Sequence, residues 1–576
     1  MTRLVILSAI AAMLLSACGK SPESTEQAAD SPPAAAADSV FIGANILTMD
    51  PDNPDAEAVA VRGQKIIYAG SRAGADELIG DATRVVELGD QALIPGFVDT
   101  HGHFMFTSRI IDFANLSSPP VGTANNISDI LALLRAHIEN QQPAAGDWVI
   151  GYGYDDSLLE EKRHPTRADL DKVSTEHPIY LMHVSGHLAA VNSAALASKG
   201  TDANTPNPPG GVIRRWPGTQ EPNGVMEESA ASAYLYERFG EIDQESFAAG
   251  VNSAFDYYAS LGITTIQDGA SNPRDVEAMR EMAANSSFNI DLAMFPHADG
   301  MDDEQLANFS HEPDYSGGMR IAGVKFLTDG SPQGRTAWVT EPYHELPEGA
   351  EEGYVAYPAT DIEVYKQRVA TLLQKNVPVL VHANGDAAMD AMMDGVEGAF
   401  SDGEIPDHRA VIIHAQLMRQ DQLDRAATLG VVPSFFSAHT FFWGDWHRRS
   451  FGEERASGIS PTASALAKGV KFTVHNDAPV VPPDMMRLVW ATVNRTTRSG
   501  YTLGLGERLS VTEALHAVTL GGAYQYFEED RKGSLTVGKQ ADMVILGADP
   551  RKVDPATLAD IPIVETIARG NTVYSK

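Results

Sequence analysis

Eight apolar segments, most of them interrupted near their ends by a turn or a polar residue, run through the middle of the chain: QALIPGFVDTHGH, GITTIQDGA, NIDLAMFP, MRIAGVKFLTDG, VPVLVHANGD, RAVIIHAQL, GVVPSFF and GVKFTVHNDAP. Amphipathic helical stretches separate them, and such alternation is the pattern of β/α units on a parallel sheet. Eight units are what a closed ring requires, so the expected fold is α/β, a (β/α)8 barrel of the TIM type. A doubly wound sheet is the competing arrangement, but it places a Gly-rich phosphate turn after its first strand, and here that strand runs into PGFVDTHGH.

Both flanks carry shorter β segments broken by Gly, Asp and Pro: FIGANILTM, AVAVRGQKIIYAG and TRVVELGD before the first unit, GSLTVGKQADMVILGADP and IVETIARGNTVYSK after the last. Their period-two spacing predicts antiparallel sheets over 40–93 and 530–576 that pack as one composite β-sandwich domain. The two ends then enclose a barrel over 94–529. The interval between the first and second strands, about 104–261, far exceeds an ordinary β/α connection, so it predicts an inserted subdomain with a strand at PIYLMHVSG.

The N-terminus has one positive charge, Arg3, an apolar run from Leu4 to Leu15, and the sequence Leu15-Ser16-Ala17-Cys18. That run is too short to span a bilayer and reads as a signal peptide over 1–18. Its last four residues resemble the lipobox of bacterial lipoproteins. The resemblance implies lipidation of Cys18, a membrane partner through that anchor, and an exported protein facing the periplasm or the cell surface. Gly19 after the cysteine favours the outer membrane by the sorting rules of such lipoproteins. Residues 19–39, rich in Ala, Pro, Ser and acids, are expected to be a disordered tether. Cys18 is the only cysteine, which excludes an intrachain disulfide, a cysteine-rich zinc cluster and a cysteine nucleophile. With 43 Lys and Arg against 77 Asp and Glu the net charge is −34, so nucleic acid is not an expected partner.

Polar residues that interrupt the apolar units fall where a barrel of this kind builds its sites, at the C-terminal ends of strands. They are His101 and His103 on the first strand, Lys325 on the fourth, His382 on the fifth, His414 on the sixth and Asp477 on the eighth. His101 and His103 are two apart and so point to the same side of a strand. Each residue alone has an ordinary structural reading, as a satisfied polar group or a salt-bridged lysine. Together they would bury six ionisable groups without a counter-ion, which is costly. Imidazoles and a carboxylate suit a divalent metal, with zinc the first expectation and one or two ions per chain.

FVDTHGH, VKFLTDG, LVHANGDAA, VIIHAQL and VHNDAPV, in this order, resemble the amidohydrolase superfamily, and within it the YtcJ-like (amidohydrolase 3) branch. HVSGHLAAVNSAAL, GVMEESA and GSLTVGKQADMVIL extend the resemblance over about Val40 to Lys576. It implies a metal-dependent hydrolase in which His101, His103, His382, His414 and Asp477 are ligands. Lys325 matches the lysine that is carboxylated in binuclear members to bridge two metals. A buried lysine has a lowered pKa, and its neutral amine can take up CO2. The branch usually has Ser before the eighth-strand acid, whereas this chain has Asn476, preceded by His475.

The implied chemistry is attack of a metal-activated water on an amide or related C–N bond other than a peptide bond, with Asp477 moving the proton. A mononuclear deaminase or cyclic amide hydrolase, with Lys325 unmodified, is the alternative enzyme. A non-catalytic solute-binding lipoprotein is the alternative from another class, and it predicts two lobes and a hinge in place of eight barrel units.

The loop after the seventh strand, SFFSAHTFFWGDWHRR, should overhang the site. Its His439, Trp443 and Trp446 are expected substrate contacts, pointing to a small aromatic or N-acylated substrate. The rings suit equally well the packing of the loop itself or the interface of a homodimer. His183 and His187 in the inserted segment, and Arg335 in DGSPQGRTAW, complete the expected substrate-binding set.

Overall fold

A computed structural model describes residues 36–576, apart from 157, 185, 187, 210, 241–242, 348–349 and 402. The signal-peptide and lipidation reading at 1–18, and the tether up to 35, lie outside the described residues.

Parallel strands occupy the positions of the eight apolar units. We label them β1 (Phe97–Val98), β2 (Ile263–Ser271), β3 (Asp291–Pro296), β4 (Met319–Ile321 and Val324–Leu327), β5 (Val379–Ala383), β6 (Val411–His414), β7 (Val432–Phe435) and β8 (Thr473–Val474). β1, β2, β3 and the first half of β4 form one sheet, and the second half of β4 through β8 forms another. The break in β4 falls at Ala322 and Gly323, where a Cβ on the glycine would overlap the Pro378 carbonyl. The sheets continue across the break, because the Ala322 amide donates to Met294 O (2.8 Å) and His297 bridges in parallel to Lys325. Beyond β1 and β8 the Asp477 amide donates to His101 O (3.1 Å) and the His103 amide to Ala478 O (2.7 Å). The strands therefore follow one another in a TIM-type ring. β3, β6 and β7 are buried at every residue, as strands covered on both faces must be.

Helices flank these strands with readable start and stop signals. Asn272 accepts from the Asp275 amide to open Pro273–Asn285, with Pro273 in its first turn. Gly430, at φ +73°, ends Gln420–Leu429 in the left-handed conformation that glycine adopts without strain. The apolar faces of these helices meet the outer faces of the strands in the main core, around Ile266, Met294, Val381, Ile412 and Phe435.

The long interval after β1 contains a six-stranded sheet, in the order Gly211–Arg215, Pro222–Glu228, Leu188–Val191, Ile179–His183, Val149–Tyr154 and Ala114–Asn115. Alternate residues of Ile179–His183 serve two cores: Ile179 and Leu181 pack with Leu116 and Leu134, while Tyr180 and Met182 pack with Met226 and Tyr234. The chain ends share one eight-stranded sheet, joined where Met543–Leu546 runs antiparallel to Ala92–Pro95. The first strand of this sheet begins at Ser39, and Ala37 before it is already buried, with its amide donating to Leu78 O (2.8 Å), so packing begins slightly before the expected end of the tether.

At the N-terminal ends of β2 to β4 the C-terminal segment meets the ring through buried charge. Lys532 Nζ lies 2.6 Å from Asp291 and 3.0 Å from Glu528, Arg569 pairs with Asp291 (2.9 Å), and Arg320 pairs with Glu528 (2.9 Å). Among the described residues no helix is long and apolar enough to cross a membrane.

Candidate metal centre

The chain beyond β1 carries His101 into the ring, where it is fully buried. Its Nδ1 lies 2.7 Å from Gln267 Oε1 on β2. The Gln267 amide nitrogen donates to Thr100 O (2.8 Å), which can only accept, so its carbonyl end must face the imidazole. His101 therefore holds its proton on Nδ1 and turns a lone pair on Nε2 inward. Burial, reinforced by Lys325, lowers its pKa to about 3 and keeps the ring neutral. Gly269 lets β2 approach this closely, since a Cβ there would sit 2.6 Å from His101 Cε1.

Around His101 Nε2 stand Lys325 Nζ at 3.2 Å and Asp477 Oδ1 at 3.3 Å. His103 brings its own Nε2 to 3.2 Å from the same Asp477 oxygen. Burial lowers the Lys325 amine to about 7, against the pull of Asp477. Asp477 sits at φ +57°, an unusual backbone conformation for a residue with a Cβ, held by the hydrogen bond its N–H donates to the His101 carbonyl.

His414 ends β6 at φ +77°, with its ring centroid 4.5 Å from that of His382 and 5.6 Å from that of His101. Burial keeps its pKa well below the ordinary histidine value. His382 is oriented by Asp329, whose Oδ1 lies 3.1 Å from Nδ1 and also accepts from the Asn384 amide (3.0 Å). The other Asp329 oxygen accepts from the Gly385 and Trp338 amides, so this carboxylate is anchored before it meets the ring.

The donor set fits a divalent cation. Ligand atoms of His101, His414 and Asp477 lie within 4.8 Å of one another. Asp477 Oδ1 is buried, and neither nearby imidazole is aligned to donate to it, which leaves a carboxylate oxygen with no hydrogen among the candidate ligands. Such an oxygen is costly to bury without a partner, and a cation is the partner it lacks.

The six residues expected as ligands thus converge on one place, while the expected substrate contacts divide into three groups. His439 is buried, with Nδ1 2.9 Å from His447 Nε2, and its ring packs at 4.5 Å on both Phe436 and Trp443. Phe436 in turn lies 6.0 Å from the His414 ring, so this loop borders the centre. Arg335 and Trp446 meet each other instead: the guanidinium stacks over the indole at 4.8 Å and pairs with Glu345 at 2.8 Å. His183 closes its strand in the inserted sheet, with Nε2 3.1 Å from Asp156. His187 lies outside the described residues.

Sequence reasoning passed over the groups that hold the ligands. Gln267 and His297 both interrupt strand-end positions, in GITTIQDGA and just after NIDLAMFP, and could have been read as the rest were. His297 is half-buried, and burial, with Lys325, His103 and His382 close enough to add to it, lowers its pKa. Asp99, two residues before His101, is buried with one oxygen unpartnered, and burial pushes it up to about 7.

The chain and its fold have known relatives. The sequence profile described as "Amidohydrolase family" matches residues 84–574. The chain is 26% identical over 551 residues to the N-substituted formamide deformylase of Arthrobacter pascens, covering 94% of this chain and 98% of that protein. It is 28% identical over 553 residues to the putative amidohydrolase YtcJ of Bacillus subtilis, covering 93% and 99%. Its fold superposes on an uncharacterized metal-dependent hydrolase from Pyrococcus horikoshii with a TM-score of 0.70 at 23% identity, covering 90% of this chain and 99% of that one.

Proposed function

Since the chain belongs to the amidohydrolase family and is a hydrolase, we propose that it cleaves amide or related C–N bonds, other than peptide bonds, in a small molecule with the help of a divalent metal. The observation that carries this reading is the meeting of His101, His414 and Asp477 around a buried carboxylate oxygen that has no hydrogen-bond donor. His101, His103, His382, His414 and Asp477 would hold the metal, with zinc the cation their chemistry suits. Lys325 would join them as a carbamate: with its pKa lowered to about 7, much of the amine is neutral near pH 7 and can add CO2, releasing one proton and leaving an anionic ligand. That favours two ions over one, on a (β/α)8 barrel with an inserted subdomain and a composite β domain.

A bound metal supplies a water acidic enough to ionise near neutral pH and a Lewis acid for the scissile carbonyl. Asp477 accepts the proton of the attacking water and returns it to the leaving nitrogen. The neutral rings of His101 and His414 keep their lone pairs for binding rather than competing for that proton. His439, Trp443 and Phe436 form an apolar border beside the centre, which suits an aromatic or N-acylated substrate. The relative from Arthrobacter pascens, an N-substituted formamide deformylase, places N-formyl amines among the compounds to try.

Metal content per chain should be measured on protein purified with zinc, then activity against N-substituted formamides, other N-acyl amines, N-acyl amino acids and aromatic amides. Hydrolysis that disappears on chelation and returns with metal is the expected outcome. A chain that binds no divalent metal, or a loaded one inert on the whole panel, would overturn the reading.

We propose further that the protein is exported and anchored by a lipid on Cys18, with the outer membrane its destination. Cells fed a clickable fatty acid should label the protein, and Cys18→Ala should abolish the label. Unlabelled wild type would reject the anchor.

A further inference from the structure

Behind the His414 ligand runs a file of buried polar groups that the hydrolytic reading does not use. His414 Nδ1 lies 3.2 Å from His475 Nε2, His475 Nδ1 lies 3.0 Å from Ser434 Oγ on β7, and Ser434 Oγ lies 3.3 Å from Thr100 Oγ1. Thr100 Oγ1 donates to the Val474 carbonyl at 3.1 Å, where the file ends. Thr100, Ser434 and His475 are fully buried and His414 nearly so.

The order of protons along this file follows from its last member. A carbonyl only accepts, so the single proton of Thr100 is committed to Val474, and Thr100 must accept from Ser434. The single proton of Ser434 is then spent, so Ser434 accepts from His475, whose proton is on Nδ1. With Nδ1 protonated, a second proton on His475 Nε2 would leave His414 with its own proton on Nε2, where a cation must bind, so a ligating His414 requires a one-proton His475. Its Nε2 is therefore a lone pair and accepts from His414 Nδ1. That leaves a lone pair on His414 Nε2, the form a cation requires. Run in reverse, the file would put a proton on His414 Nε2 and leave the Val474 carbonyl without its hydroxyl donor.

We propose that His475 is a positioning residue that, through Ser434 and Thr100, fixes the tautomer and ring orientation of His414 for metal binding. The inference rests on the metal-centre reading above, and gives a role to the His475 that precedes Asn476 in VHNDAPV. Metal-ligating histidines are commonly oriented through their second nitrogen, and losing that partner typically costs about 10- to 100-fold in metal affinity.

The test is competition of the folded protein for Zn²⁺ against a chelator of known affinity, with Co²⁺ absorption as a record of ligand geometry. His475→Leu removes the acceptor and should weaken zinc binding by about 10- to 100-fold. His475→Gln offers a carbonyl oxygen to His414 and should recover much of that loss. Ser434→Ala touches no ligand, and its smaller change in bulk keeps the test usable should His475→Leu fail to fold. It should weaken binding several-fold and shift the Co²⁺ spectrum. If wild type binds zinc and Ser434→Ala binds it as tightly with an unchanged Co²⁺ spectrum, as does His475→Leu where that variant folds, the relay is wrong while the metal centre stands. Wild type that takes up no metal removes both. Zinc lost equally from His475→Gln and His475→Leu, with Ser434→Ala unaffected, would make His475 itself a ligand and also overturn the inference.

Discussion

Asp477 is asked to hold a metal and to move a proton, and the two tasks separate on substitution. Asn still offers an oxygen to a cation but cannot serve as the base. Asp477→Asn should therefore keep most of its metal while kcat falls by about 10² to 10⁴, the usual worth of general acid–base participation. The loss should persist at saturating substrate, because the interaction removed belongs to the transition state. An aspartate that only shaped the strand end would instead give a lower thermal midpoint with near-normal turnover per folded molecule. Lys325 is distinguished in the same way. Its amine, 3.2 Å from His101 Nε2 and buried, can join two cations only after it has become an anion. Lys325→Ala should lose one metal or most of its activity, and acetate or propionate should restore part of both. Two metals at full occupancy with normal turnover in that variant would leave the lysine without a bridging role.

At the scale of elements, strand ends fix where ligands meet, and Gly269 on β2 is the close fit that touches a ligand ring directly. An alanine there would press on His101 Cε1 and on Gln267 Oε1, 2.6 and 2.7 Å from the added methyl, and the ring cannot yield without losing its bond to Gln267. Gly269→Ala should therefore lower zinc affinity by about 10- to 100-fold, measured by chelator competition on protein whose circular dichroism is unchanged; undiminished affinity would mean that the ring moves freely. The ligands could be read from sequence because each puts a charge or an imidazole at the end of an apolar run. Their supports were harder to see. A glutamine such as Gln267 or an aspartate such as Asp329 becomes informative only when its partner is known, and His101 and His382 lie 166 and 53 residues away. The pairing of Arg335 with Trp446 was invisible for the same reason. In the inserted sheet only Ile179–His183 announced itself. Gly211–Arg215 and Pro222–Glu228 are short, partly polar and begin with Gly or Pro, so their strand character comes from pairing with each other rather than from an apolar run.

Across the whole molecule, the sheet built from both chain ends meets the ring at a patch of buried charge, and acid titration should reveal that junction. Lys532 serves Asp291 and Glu528 together, so Lys532→Met would leave two buried carboxylates short of a cation and should cost about 3–5 kcal/mol in denaturant unfolding. Asp542 offers a sharper test because its change conserves shape. Its carboxyl accepts from the Arg569 amide and the Gln540 side chain, both at 2.8 Å, while its backbone carbonyl accepts from Gly96 just before β1. Burial raises its pKa from 3.8 to about 6, with Lys532 opposing and Asp291 adding to the rise. Between those values the folded protein holds a proton that the unfolded chain releases, so this group makes stability fall as pH rises. Above about pH 6 the full cost of burying the charge is present, and below about pH 4 it vanishes because both states are protonated. At about 1.4 kcal/mol per unit, two units amount to about 3 kcal/mol. Asn retains an acceptor for Arg569 and never ionises. The stability of Asp542→Asn relative to wild type should therefore climb from about pH 4 to 6 and level off at higher pH. Urea unfolding of both proteins between pH 4 and 8 measures that difference directly. A difference independent of pH, or one greatest at pH 4, would mean that Asp542 is ionised throughout and that its neighbours, rather than a retained proton, compensate its burial.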